Sequence, residues 1–198
     1  MDEPIDLVIN HATVSDIFGI LCVQEENLLA NKNKVDFVDK EFLSAQGFLI
    51  HAFTHNDLEK IIKDKENHIL LVAKNTIEIV GYFLGYYIIE WYTYKPNWID
   101  TALIDSELKS TIEENKVLYG RHVARKPSWR GKQIGRKLEH AAFQEAKVQG
   151  YESIIVEILE QPIANEVSIK VHTSLGYEKI GSISEEDKLE WGIWKKEL

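Results

Sequence analysis

Cysteine is almost absent from this chain. Cys22 is the single one among 198 residues, which excludes an intrachain disulfide and a zinc site built on cysteines. Long apolar runs are missing too, since none approaches the ~18 residues that a membrane-spanning helix needs. Positive charge is the third shortage: 23 Lys and Arg stand against 32 Asp and Glu, a formal net charge of −9. Nucleic-acid binding rests on neutralising phosphates with cationic side chains, so that class of partner is not expected. An acidic protein is better suited to a cationic acceptor such as an amine. The opening Met1-Asp2-Glu3-Pro4 lacks the basic flank and apolar core of a secretion signal, and a cytoplasmic location is the expectation. No repeat, low-complexity tract or long linker divides the sequence. At 44% hydrophobic and 28% charged residues it reads as one domain over residues 1–198 with a sizeable core.

The most informative stretch runs from Val117 to Gln149. Residues 117–124 are short, partly apolar and β-branched, as in a strand. A basic, glycine-containing turn follows through Lys126, Pro127, Arg130, Gly131, Lys132, Gln133 and Gly135. Beyond it Ile134, Leu138, Ala141, Ala142 and Ala146 recur at the spacing of one helix face. Strand, turn and helix in that order aim backbone N–H groups and a helix dipole at one spot, with Arg130 and Lys132 beside it, which makes a phosphate site. The alternative reading is that Gly131 and Gly135 only permit a tight turn and close helix packing. Gln133 stands where a P-loop needs Ser or Thr, and no Gly-x-Gly-x-x-Gly fingerprint is present.

The remaining elements read in order as follows. Residues 5–10 form a strand. Thr13 and Asp16 make a capping box for a helix through Ile17, Ile20, Leu21 and Leu28. Residues 31–47 are a polar loop with some helix. Thr54 and Asp57 make a second capping box, for a helix with Leu58, Ile61 and Ile62 on one face. Residues 68–74 and 77–87 form an antiparallel hairpin whose second strand is central. An aromatic tract, 90–98, and an exposed helix, 105–115, follow. Residues 153–159 are a strand, and Pro162 opens the next helix. That helix buries Val167, Val171 and Leu175 and stops at Gly176. Residues 177–183 and 189–194 are closing strands.

Two motifs carry a family resemblance. Arg130, Gly135 and the preceding Pro127 resemble the acyl-CoA signature Arg/Gln-x-x-Gly-x-Gly/Ala of the GNAT acyltransferases, with Gln133 in place of the first glycine. Asn165-x-x-Ser168-x-x-x-His172-x-x-Leu175-Gly176-Tyr177 resembles the family's C-terminal motif, with His172 where most members carry tyrosine. The resemblance implies a mixed α/β fold. Its central, mostly antiparallel sheet has about six to seven strands, is flanked by helices and is splayed near the central strand. It also implies acetyl-CoA as co-substrate, no metal, and direct attack of an amine on the thioester. The residues implied to hold CoA are Val123, Ala124, Arg125, Arg130, Gly131, Lys132, Gln133, Ile134, Gly135 and Arg136, with Asn165 and Ser168 on the later helix. A side chain at position 133 would crowd the pyrophosphate.

His172 is the implied acid for the departing thiolate, and it also reads as a half-exposed helix histidine. Asn165 also reads as a local cap. Glu157, on the strand before the later helix, and Glu90, at the end of the long hairpin strand, are the candidate bases, acting directly or through water, and His122 on the central strand is a third. Both carboxylates read equally as surface or salt-bridging groups. Trp91, Tyr92, Tyr94 and Trp98 read as an acceptor wall, as core, or as a homodimer contact. The acceptor is expected to be a small-molecule or peptide amine. The rival reading is a GNAT-fold binding module that holds acyl-CoA without transferring it, or that has lost CoA through Gln133.

Overall fold

The computed structural model describes residues 7–29, 44–185 and 188–198. The expectations for residues 5–6 and 31–43 lie outside that set. In chain order the elements are β1 (Val8–His11), a 3-10 turn (Val14–Asp16), α1 (Ile17–Asn27), α2 (His55–Lys63), β2 (His68–Lys74) and β3 (Ile79–Tyr87). Then come α3 (Ile88–Tyr94), α4 (Trp98–Thr101), β4 (Leu103–Ile104), α5 (Ser106–Glu114) and β5 (Val117–Arg125). A second 3-10 turn (Pro127–Trp129) leads to α6 (Ile134–Val148), β6 (Ser153–Gln161), α7 (Glu166–Ser174), β7 (Glu178–Ser184) and β8 (Glu190–Glu197).

The strands form one sheet in the order β1-β2-β3-β5-β6-β8-β7-β4. The pairs β1–β2, β4–β7, β6–β8 and β7–β8 are antiparallel, and β5–β6 is parallel. This is the mixed, mostly antiparallel fold expected, with eight strands rather than six or seven. The parallel ladder runs from Val117↔Ser153 to Gly120↔Val156 and stops well before β5 ends. The unforeseen strand is β4, whose two residues are too short for any periodicity.

The chain gathers into two compact units. Of the described residues, the first takes 7–29, 48–84 and 122–144, and the second takes 44–47, 85–121, 145–185 and 188–198. Ile17, Ile20, Leu58, Ile69 and Phe83 are fully buried in the first unit. Trp98, Ile112, Tyr119, Ile154 and Ile193 are buried in the second. Each such side chain contributes about 1.5–3 kcal/mol by leaving water.

Local chemistry sets the element ends. In the cap of α2, Thr54 N–H donates to Asp57 Oδ2 (2.9 Å) and Asp57 N–H donates to Thr54 Oγ1 (3.3 Å). Leu58, Ile61 and Ile62 form its buried face, as the spacing predicts. Thr13 N–H likewise donates to Asp16 Oδ2 at 2.8 Å, although a 3-10 turn intervenes before α1. Asn75 Oδ1 accepts from the N–H groups of Ile77 (2.8 Å) and Glu78 (2.7 Å), so β3 begins at Ile79 rather than at 77.

Three expectations are corrected. Leu28 lies past the end of α1 in extended backbone, paired with Leu49. Pro162 does not open a helix: Asn165 caps α7 by accepting Ser168 N–H (3.3 Å), and its own N–H bonds Leu159 O (2.8 Å). Residues 162–164 therefore stay in the connection. Glu90 is not at a strand end, because β3 stops at Tyr87 and Glu90 lies on α3. Ile88 and Trp91, three apart and both buried, select a helix there.

Candidate active site

In the first unit the turn after β5 carries the phosphate-type geometry. Lys126 N–H donates to Val80 O at 2.8 Å, and Trp129 N–H and Arg130 N–H close the 3-10 turn onto Lys126 O (2.9 Å) and Pro127 O (3.1 Å). Gly131 and Gln133 then take left-handed backbone, at φ +78° and +58°. The bond from Lys137 N–H to Gln133 O (3.0 Å) makes Gln133 the residue from which α6 opens. Residues 134–136 thus lie in the helix turn whose N–H groups have no acceptor within the helix, at the positive end of its dipole. Left-handed residues beside helical ones also form anion-binding concavities.

The charges fit the same purpose. The Arg125 guanidinium is held below its usual range by burial and by the charge of Arg130, so an anion would relieve both. Lys132 lies over the Trp129 ring at 4.5 Å. Lys126 is engaged differently: it pairs with Glu78, and that hydrogen bond raises its pKa. Val123 is half-buried, and Ala124 packs inward with its carbonyl 2.8 Å from where a Cβ on Gly81 would lie. A Cβ on Gly131 would meet nothing within 4 Å, and one on Gly135 only Val123 at 3.8 Å. A glycine inside a helix costs about 1 kcal/mol relative to alanine, and internal packing does not demand Gly135. His122, also in this unit, is a core residue that meets Tyr82 Oη at 2.9 Å through Nδ1 and lies edge-on to Phe53.

In the second unit one charge sits in the middle of a buried strand. Glu157 of β6 is half-buried among buried neighbours. Its Oε1 accepts from Trp98 Nε1 at 2.5 Å, and its Oε2 accepts from the Tyr119 hydroxyl at 2.6 Å. Both donors are core residues, 0% and 1% exposed. Tyr119 stacks on Trp91 at 4.5 Å with the rings 7° from parallel, and the Arg121 guanidinium lies 4.8 Å from the Trp91 ring centre. Burial, followed by the negative charge of Glu157, pushes the Tyr119 phenol well above its usual range. Trp91 and Trp98 are therefore core, while Tyr94 is exposed and Tyr92 half-buried. Glu90 is half-buried on α3, with no hydrogen bond or ion pair to its carboxylate among the described residues.

Helix α7 departs from its expected face. Val167 and Val171 are half-buried, while His172 is 6% exposed. The His172 Nδ1 lies 2.7 Å from Ser168 O and 3.2 Å from Ser168 Oγ. A carbonyl only accepts, so Nδ1 carries the proton, and in the neutral ring Nε2 is an acceptor. That Nε2 atom is itself buried, and the ring meets Tyr177 edge-on at 4.8 Å. The helix ends with Tyr177 N–H on His172 O (3.1 Å), Gly176 N–H on Thr173 O (3.1 Å) and Gly176 at φ +84°, a Schellman close. Asn165 and Ser168 both serve the helix start. A surface groove of about 380 Å³ beside them is lined by Ser44, Pro162, Ile163 and Glu166, among others, and by none of the candidate catalytic residues.

Sequence reasoning missed Tyr119 and the role of Trp98. Glu157, the lone charge in a β-branched run, was the available signal. Among the described residues no group of three His, Cys, Asp or Glu is placed to share a metal ion, and no helix is long and apolar enough to cross a membrane.

Mixed sheet, β5–turn–α6 unit and cationic turn together define an acyltransferase-type architecture. The sequence model of the acetyltransferase (GNAT) family matches residues 36–177, and the chain belongs to that family. Among solved structures, the PaiA N-acetyltransferase of Thermoplasma acidophilum, in complex with coenzyme A, is similar over 98% of this chain and 99% of that one, at 13% identity and TM-score 0.63. YncA of Salmonella typhimurium, a putative acetyltransferase with its cofactor acetyl-CoA, matches over 97% and 94% at 18% identity and TM-score 0.60. The ribosomal-protein-S18-alanine N-acetyltransferase of Escherichia coli matches over 96% and 93% at 10% identity and TM-score 0.60. At these identities the likeness is one of fold. No curated protein sequence matches the chain.

Proposed function

We propose that this protein is an N-acetyltransferase that moves the acetyl group of acetyl-CoA to an amine, either a small molecule or a peptide amine. The observation that carries the reading is the turn opening α6, with its left-handed Gln133, its open glycines and the Arg125–Arg130 pair. In this reading the amides of residues 134–136, with Arg125, Arg130 and Lys132, hold the pyrophosphate. The amine nitrogen forms the new N–C bond, the C–S bond breaks, and CoA leaves as thiolate. Glu157, directly or through one water, accepts the proton that the amine loses. The thiolate takes its proton from solvent. With Nδ1–H given to Ser168 O and Nε2 buried, His172 anchors α7 and stands outside the proton transfers. Glu90, whose carboxylate has no hydrogen bond or ion pair among the described residues, is not assigned a role.

Thermal unfolding with and without acetyl-CoA, followed by thiol release with a panel of primary amines and peptides, tests the reading. A ligand at a hundred times its Kd adds about 2.7 kcal/mol of apparent stability, easily seen as a melting shift. The expected result is a shift together with turnover on at least one amine. A shift without turnover on any amine would make the protein a binding module. No shift at millimolar acetyl-CoA would remove the acyl-CoA reading.

A further inference from the structure

We infer that Trp98 and Tyr119 are positioning residues for Glu157, which fix the orientation of its carboxylate through one hydrogen bond to each oxygen. The inference rests on the reading of Glu157 as the group that takes the amine proton.

The geometry is specific on both oxygens. Trp98 Nε1 donates to Oε1 and the Tyr119 hydroxyl donates to Oε2, so rotation of the carboxylate would break two short bonds. Each donor is fixed in turn. The Trp98 backbone is tied by its N–H to Lys95 O and by its carbonyl to Ala102 N–H, both at 3.0 Å. Tyr119 is paired with Ile155 in the β5–β6 ladder, two residues before Glu157, and its ring is clamped by the Trp91 stack.

The two donors are also electrically neutral. An indole N–H never ionises, and the Tyr119 phenol keeps its proton because burial and Glu157 outweigh the opposite pull of Arg121. Among the described residues Glu157 has no ion pair; these two hydrogen bonds are its contacts. A Lys or Arg partner would have stabilised the anion but quenched it as a base. Two neutral donors orient it without forming an ion pair, although the Arg121 charge also acts at the Tyr119 hydroxyl. The second lone pair on each oxygen remains available to accept the proton that the amine loses.

A purely structural role would require only that two buried donors find some acceptor, and removing one would then lower stability without changing proton transfer. The test compares Glu157→Gln, Trp98→Phe and Tyr119→Phe with the native enzyme on one amine, measuring kcat/KM against pH, kcat and KM separately, and melting temperature with and without acetyl-CoA. Glu157→Gln should lose at least about a hundredfold in kcat. Each Phe variant should keep its acetyl-CoA melting shift, lose about tenfold in kcat, and move the acidic limb of kcat/KM up by about half to one pH unit, because one donor to the anion is gone. The amine's own titration is common to all four enzymes, so it cancels from the comparison. Full activity in Glu157→Gln would overturn the proton-acceptor reading itself. An inactive Glu157→Gln beside Phe variants with unmoved limbs would overturn the positioning inference alone. Should Trp98→Phe fail to fold, Tyr119→Phe decides the matter, since it deletes one oxygen and leaves the stacked ring in place.

Discussion

Asn27, the last residue of α1, donates from Nδ2 to the backbone carbonyl of Arg125 at 2.9 Å and to that of Val23 at 2.7 Å. One amide thus ties the end of the first helix to the last residue of β5, directly before the turn. Asn27→Ala removes that donor from the Arg125 carbonyl. We expect a loss of about 1–3 kcal/mol in urea unfolding and a several-fold weaker acetyl-CoA Kd by calorimetry. Lowered stability with an unchanged Kd would show that the bond serves folding only.

Position 133 explains its own departure from the family motif. Its left-handed backbone is the reason glycine is usual there, and a non-glycine residue in that region costs on the order of 1–3 kcal/mol. Glutamine tolerates it, whereas a β-branched residue does so poorly. Gln133→Val should therefore lower stability by about 1–2 kcal/mol beyond native. Gln133→Gly should leave stability within about 1 kcal/mol and tighten acetyl-CoA. If the Val variant melts with the native protein, the left-handed turn does not hold in solution.

For His172 the expectation follows from its bond to Ser168 O. His172→Phe keeps an edge contact with Tyr177 but loses the N–H donor, at a cost of about 1–3 kcal/mol in stability. Turnover should stay within about threefold of native once measured well below the melting transition. A hundredfold fall in kcat at native stability would return the imidazole to the proton-transfer step.

Asp16 gives a pH signature. Burial alone would raise its pKa, but the bond from Lys74 Nζ (2.7 Å) and those from the Thr13 N–H and hydroxyl (both 2.8 Å) outweigh it, and the net shift is downward. A carboxyl whose folded pKa is depressed contributes its stability fully above the unfolded value near ~3.9 and loses it as pH falls through the folded value. Asp16→Asn should thus be less stable than native by about 1–2 kcal/mol at pH 7, with the gap closing in acid as pH falls through the depressed pKa of Asp16. Urea unfolding at pH 7 and in acid checks this. A gap that persists in acid would mean that the charge of Asp16 is not what holds Lys74.

Much of this fold is written locally. The bounds of β2 follow from composition, and the Thr54–Asp57 box fixes the start of α2 because both bonds are formed within one turn. The order β5–α6–β6–α7–β7–β8 follows from alternating periodicities. What stayed hidden depends on distant partners. Ile88-Ile89 continues an apolar run that reads as strand, yet the burial of Trp91 against Tyr119, 28 positions later, selects helix α3. Around Pro162 two local signals compete, and the Asn165 cap wins. Helix α7 has half-buried valines on its expected face, so spacing alone misplaces His172. Glu157 is visible in the sequence as a charge among β-branched residues. Its clamp is not, because Tyr119 and Trp98 lie 38 and 59 positions away.

The two residues of β4 have a further consequence. Leu103 and Ile104 cover the outer border of β7 only at Ser182 and Gly181, where the carbonyl of Leu103 approaches so closely that a Cβ on Gly181 would lie 2.5 Å from it. At the opposite border stands β1, four residues long. Edge strands of two and four residues present few backbone N–H and C=O groups of their own for a stranger's chain to extend, while β4 leaves the rest of the β7 border unpaired by it.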